Sequence, residues 1–125
     1  MTLDLLPGVL AVCRLDPDAA LEAWMGQGSV SSITRTPVEL SVVCQRDGVP
    51  EGVVLEDGWR ALALRGPIPF ELTGVLTRLL DPLAAAEVSI FAISTYDTDV
   101  VMVKALALED AVTALRAEGH TVEGA

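Results

Sequence analysis

Leu76, Leu79, Leu80 and Leu83 recur at the i, i+3, i+4, i+7 spacing of one helical face, and Leu108, Ala111, Val112 and Leu115 mark out a second helix. Thr73 stands where an N-cap is wanted, and Pro82 inside the first pattern predicts a single kinked helix running to about Ala86. Gly119 can end the second helix in a left-handed cap before a short strand near Thr121-Val122. Two β-rich runs, Val88 to Thr95 and Val100 to Val103, lie between the helices, separated by Tyr96-Asp97-Thr98-Asp99. Upstream, Asp57-Gly58 between Val53-Val54-Leu55 and Trp59 to Leu64 predicts a two-residue hairpin. From Trp59 onward the order is therefore β-α-β-β-α-β. This is the α+β ferredoxin-like sandwich, with two helices on one face of an antiparallel sheet.

The amino-terminal half repeats that order in reduced form. A strand at Val9 to Arg14 leads to Asp16 as a cap and Pro17 at the first position of a short helix through Leu21 and Trp24. Strands at Ser29 to Thr34 and Glu39 to Cys44 follow, divided at Thr36-Pro37, and the second helix shrinks to a turn before Pro50-Glu51-Gly52. The expected organisation is two tandem units, a degenerate one over 1–57 and a complete one over 58–125. Because the strands of the complete unit are apolar on both faces, its sheet calls for another sheet or subunit to cover the side away from the helices.

Composition narrows the classes of function. Half of the 125 residues are hydrophobic and 21% are charged, enough apolar material for a core. Eighteen acidic against eight basic residues give a net charge of -10, which repels nucleic-acid phosphates and anionic lipid headgroups. Charges, Gly or Pro interrupt every apolar run well short of the about 18 residues that a transmembrane helix needs. The opening Met1 to Pro7 has no basic n-region and carries Asp4, so the chain is expected to stay in the cytoplasm.

Cys13 and Cys44 lie singly in apolar surroundings without metal-ligand spacing, and are read as reduced core residues rather than a disulfide or reactive pair. His120, the sole histidine, follows Gly119 where a helix should end, which favours a place at the helix terminus over a catalytic one. The run Ser94-Thr95-Tyr96-Asp97-Thr98-Asp99 sets six hydrogen-bonding side chains between two apolar strands. One reading is a hairpin loop whose Asp and Thr side chains satisfy local backbone groups. Another pairs the run with Gly74, where a helix start offers amide donors and a positive dipole end to a carboxylate while Asp99 takes an ammonium, a combination that suits a free amino acid. Within one ferredoxin-like unit these two places are expected to meet only through a neighbouring chain or repeat. A third reading sets Asp97 and Asp99 on one face of an extended strand as a carboxylate pair or metal site.

Glu71-Leu72-Thr73-Gly74-Val75-Leu76, the stretch Ile90 to Asp99 and the closing Leu106 to Val122 together resemble the ACT domain. Within that family the chain is most similar to the small bacterial tandem-ACT proteins and the animal cytosolic arginine sensors, and more distantly to aspartate kinase regulatory domains. No phosphate-binding glycine loop, metal cluster or nucleophile with a base is visible in the sequence, so no catalytic residues, cofactor or metal are expected, and the resemblance implies two ACT units per chain. It further implies an amino-acid ligand bound at an interface between units, with backbone contacts at Gly74 and Val75, backbone and ring contacts at Thr95 and Tyr96, Asp99 on the ammonium or a cationic side chain, and Ser94 as a weaker contact. The arginine sensors carry twice as many units, so this chain is expected to complete the arrangement as a homodimer, which passes its signal to a regulated enzyme or regulator. The alternatives are a structural dimerisation domain without ligand and a small metabolic enzyme.

Overall fold

The computed structural model describes residues 1–68 and 74–125. In chain order the strands are β1 (Thr2–Leu5), β2 (Leu10–Leu15), β3 (Ser32–Arg35), β4 (Leu40–Gln45), β5 (Val54–Leu64), β6 (Ile90–Ser94), β7 (Asp99–Lys104) and β8 (Thr121–Glu123), with helices α1 (Val75–Ala85) and α2 (Leu108–Ala117). The fold is mixed α+β, as expected, and its chain divides into two units. Residues 1–6 and 60–125 make the first unit and 7–59 the second.

Asp57-Gly58 does not turn the chain. Leu10 pairs with Trp59 and Val12 with Glu56, so Ala11 alone faces both Asp57 and Gly58, the signature of a β-bulge in a continuous β5. Gly58 takes φ +77°, closed to most side chains, and donates its N–H to Asp57 Oδ1 at 2.6 Å. Arg46 Nε grips the other carboxylate oxygen at 2.9 Å. The same dipeptide that makes a type I′ turn thus makes a bulge, because β2 offers a partner to both sides of it.

In the first unit β6, β7, β5, β1 and β8 lie side by side in that order. The strand β1 was not foreseen. It runs antiparallel to β5 and parallel to β8, placing Leu3 between Leu64 and Val122. Asp4 on this strand meets Arg65 Nη2 at 2.5 Å, and the hydrogen bond and charge of Arg65 hold its carboxyl below the usual range. Both helices cover one face, where Leu79 and Leu83 of α1 and Ala111 and Leu115 of α2 pack with Leu62, Leu64, Val101 and Val103.

Each helix ends in a Schellman motif. His120 N–H donates to Leu115 O at 3.1 Å and Gly119 N–H to Arg116 O at 3.0 Å, while in α1 Val88 N–H reaches Leu83 O at 2.9 Å. Pro82 lies inside α1 and has no N–H for the carbonyl of Arg78. His120 Nε2–H donates to that carbonyl instead, at 3.2 Å. The histidine thus stands at a helix terminus and repairs the proline defect of a neighbouring helix. Thr73, expected as the N-cap of α1, lies outside the described residues, and the cap position belongs to Gly74.

The second unit joins β3, β4, β2 and the first half of β5. Its expected helix does not form from Asp16: residues 16–19 make a turn closed by Ala19 N–H to Asp16 O at 3.0 Å, and only a 3-10 turn, Ala23–Gly26, follows. Four residues suffice to bring Met25 into the core with Ala11, Cys13, Leu40, Val42 and Cys44. The first strand of the hairpin starts later than expected, at Ser32, and the second helix is a 3-10 turn over Arg46–Gly48.

Cys13 and Cys44 are both free and buried. The ladder sets Cys13 opposite Val42 and Cys44 opposite Ala11. The pair is therefore diagonal, about 7–8 Å apart at the backbone, beyond the roughly 4.4–6.8 Å that a disulfide accepts. Burial, then the neighbouring Cys44, pushes the Cys13 thiol up to about 12, and burial raises Cys44 as well. Since the thiolate is the reactive form, alkylation of native protein at mildly alkaline pH is expected to leave both thiols intact by mass spectrometry. Both should be modified once denaturant opens the sheet. Modification of either in the native state would contradict the packing. No helix among the described residues is long and apolar enough to cross a membrane.

Candidate functional site

The hairpin between β6 and β7 is built by its own threonines. Thr95 N–H donates to Thr98 O at 2.8 Å, and Thr95 Oγ1 both donates to that carbonyl at 3.0 Å and accepts from Thr98 N–H at 3.2 Å. Thr98 Oγ1 in turn donates to Leu64 O at 2.7 Å, fastening the loop to the end of β5. Beyond β5, Ile68 N–H donates to Asp97 O at 2.7 Å. Gly66 makes this approach feasible, since a Cβ there would stand 3.1 Å from Asp97 O and 3.3 Å from Thr98 Cβ. The local hydrogen bonding expected of these residues is present, and it shapes a wall.

That wall faces the start of α1. Ser94 and Asp99 are a cross-strand pair, in step with Ala92, Val101 and Val103 on the helix-facing side of the sheet. Ser94 Oγ donates to Asp99 Oδ1 at 2.6 Å, which fixes the carboxylate. A carboxylate offers about four acceptor positions, so Asp99 keeps capacity for a ligand donor. Opposite, Gly74 precedes α1 at φ +77° with open space where a Cβ would point. The first-turn amides of a helix have no intrahelical partner and carry the positive end of its dipole.

Gly74, Val75 and Leu76 from the helix start and Ser94 to Asp99 from the hairpin line one cavity of about 270 Å³, together with Ile68. All six residues singled out in the sequence are there: Gly74, Val75, Ser94, Thr95, Tyr96 and Asp99. The expectation that another chain or repeat must bring the two places together is corrected. Thr98 and Ile68 draw the hairpin over the end of β5, and one unit suffices. Ile68, Leu76, Asp97 and Thr98 were not foreseen as lining residues; the breaker Gly66-Pro67 was the one hint that the chain passes close to something. Tyr96 lines the cavity from the loop and is 83% exposed. Asp97 lies in the loop and Asp99 on β7, so they are not neighbours on one extended strand. Among the described residues no group of three or more His, Cys, Asp or Glu side chains is placed to hold a metal ion.

The family model for the ACT domain matches residues 54–117, and a second model, for an N-terminal domain, matches 8–52. No curated protein matches the sequence significantly. Among solved structures, protein Atu0741 of Agrobacterium tumefaciens superposes with a TM-score of 0.91 at 36% identity, over 97% of this chain and 90% of that one. Protein VC0802 of Vibrio cholerae superposes at 0.73 with 20% identity, over 94% and 88% of the two chains. The regulatory subunit of aspartate kinase from Thermus thermophilus, in its ligand-free form, superposes at 0.64 with 14% identity, over 90% and 93%.

Proposed function

This chain belongs to the ACT-domain family, and on that premise we propose that it is a non-catalytic regulatory module that binds a free amino acid in the cavity between Gly74 and Asp99. The observation that carries the reading is the pairing of opposite polarities in one cavity. Helix-start amides at Gly74-Val75 suit the α-carboxylate, and the Asp99 carboxylate, held by Ser94, suits the α-ammonium. A volume of about 270 Å³ lies just under the roughly 300–1,000 Å³ of drug-sized sites. Thr95 and Tyr96 supply backbone and ring contacts. Within the family the Ser94-Thr95-Tyr96-Asp97-Thr98-Asp99 run supports a place beside the small bacterial tandem-ACT proteins and the cytosolic arginine sensors. The module acts as a homodimer: among the described residues β6 pairs with β7 alone and ends the sheet, and a sheet edge is a template for a second chain. Its output goes to a partner enzyme or regulator.

A thermal-shift screen with the twenty amino acids tests the reading. One or a few are expected to raise the melting temperature, because a ligand at a hundred times its dissociation constant adds about 2.7 kcal/mol. The methyl ester and the N-acetyl derivative of the responder should each lose the effect. If no amino acid responds, the ligand-free dimerisation domain takes over; a strict monomer by light scattering removes the dimer.

A further inference from the structure

Each unit has a hairpin of the same design. In the second, Thr36 N–H donates to Glu39 O at 2.9 Å, Thr36 Oγ1 donates to the same carbonyl at 3.4 Å, and Glu39 N–H donates back to Thr36 Oγ1 at 3.2 Å. These are the bonds that Thr95 and Thr98 make in the first. Both loops have four residues, and the strand-end pair Arg35 and Leu40 stands where Ser94 and Asp99 stand. The faces agree as well: Leu40, Val42 and Cys44 point into their core as Asp99, Val101 and Val103 point toward the helices. The site's frame is therefore present twice, with the acidic position replaced by a buried leucine and the small one by an arginine.

Arg35 is exposed, yet its guanidinium is tied to backbone carbonyls. Its Nη1 donates to Pro17 O, and its Nη2 donates to Ala19 O at 2.8 Å. Both carbonyls belong to the segment after β2, the counterpart of the segment that follows β5 and leads to Gly74 in the first unit. Pro17 sits between Asp16 and Asp18, whose charges favour a cation there. We propose that the second unit carries a closed copy of the site with the Arg35 guanidinium as its built-in occupant, and that the vacated cradle is a binding site for a small guanidinium cation. The fork of donors that a guanidinium holds rigidly matches two carbonyls from one turn, a geometry that the rotatable donors of a point-like ammonium are not organised to hold. The chain then has one open site rather than two, and the proposal stands whether or not the first cavity takes an amino acid.

Chemical rescue of Arg35→Ala tests this. The substitution is expected to lower the melting temperature by about 3 °C, in keeping with the loss of exposed charge-assisted bonds in a chain of this length. Methylguanidinium chloride at about 20 mM should recover roughly half of that loss, the response of a ligand near its dissociation constant. Tetramethylammonium chloride at the same concentration should recover none, and the unsubstituted protein should gain nothing from either salt. In the variant alone, methylguanidinium should shift the NMR amide signals of Asp18, Ala19 and Ala20. Arg35→Lys keeps the charge without the fork and should retain most of the loss. Equal responses of variant and unsubstituted protein, an undiminished melting temperature in Arg35→Ala, or full stability in Arg35→Lys would each overturn the proposal.

Discussion

Replacing Asp99 by alanine is expected to abolish the thermal shift given by the responding amino acid while leaving the unliganded melting temperature nearly unchanged. Asp99 is half-buried at the first position of β7, and its carboxylate accepts from the exposed Ser94, so the fold asks little of it. A ligand ammonium asks more, since a hydrogen bond to a charged group contributes about 1.5–3 kcal/mol. At about 1.4 kcal/mol per tenfold, that is roughly a ten- to hundredfold loss of affinity. At a ligand concentration that gives the unsubstituted protein about 2.7 kcal/mol, a hundredfold loss leaves about 0.4 kcal/mol, near the resolution of the measurement. Asp99→Asn separates charge from shape: its Oδ1 still accepts from an ammonium but without the charge, so it should bind more weakly than the unsubstituted protein and better than alanine. An undiminished shift in Asp99→Ala would mean that the amino acid binds elsewhere.

Met25→Ala should carry the largest stability cost among single substitutions in the second unit, about 2–5 kcal/mol by urea or guanidinium denaturation. Met25 is 0% exposed and is the buried residue of the Ala23–Gly26 turn. The first unit spreads its helix-side packing over two helices of 11 and 10 residues. The second covers its core with short 3-10 turns and loop residues, of which Met25 is the largest fully buried side chain, so truncating it opens a cavity with little helical packing around it to close the space. Against a typical total of about 5–15 kcal/mol the loss is large. Hydrogen exchange should quicken first at Leu40 to Gln45 and Leu10 to Leu15. A cost under about 1 kcal/mol would mean that the flexible thioether packs loosely there.

Periodicity over ten or so residues made α1 and α2 legible, and runs of β-branched and apolar residues did the same for the two strands of the β6–β7 hairpin. The short elements were less so. Asp16-Pro17 has the chemistry of a helix start, yet the residues after it form only a 3-10 turn, in which the one buried side chain is Met25, with Trp24 packed against the same core. The strand β1 was hidden because four residues carry no period, and their pairing partners lie some sixty and more than a hundred residues away.

The chemistry of the candidate site was written in the sequence: the hydroxyls and carboxylates of Ser94 to Asp99, the missing side chain of Gly74, and the acidic balance that favours a cationic ligand group. These are properties of residue types, and they hold before the chain folds. Tertiary structure decided where that chemistry is brought together. Thr98 to Leu64 and Ile68 to Asp97 are bonds between residues some thirty positions apart, and they put carboxylate and helix start around one cavity within a single unit. It also decided between the two fates of Asp57-Gly58. The backbone that dipeptide prefers serves a hairpin turn or a bulge about equally well, and pairing with Leu10 to Arg14 on one continuous strand selected the bulge.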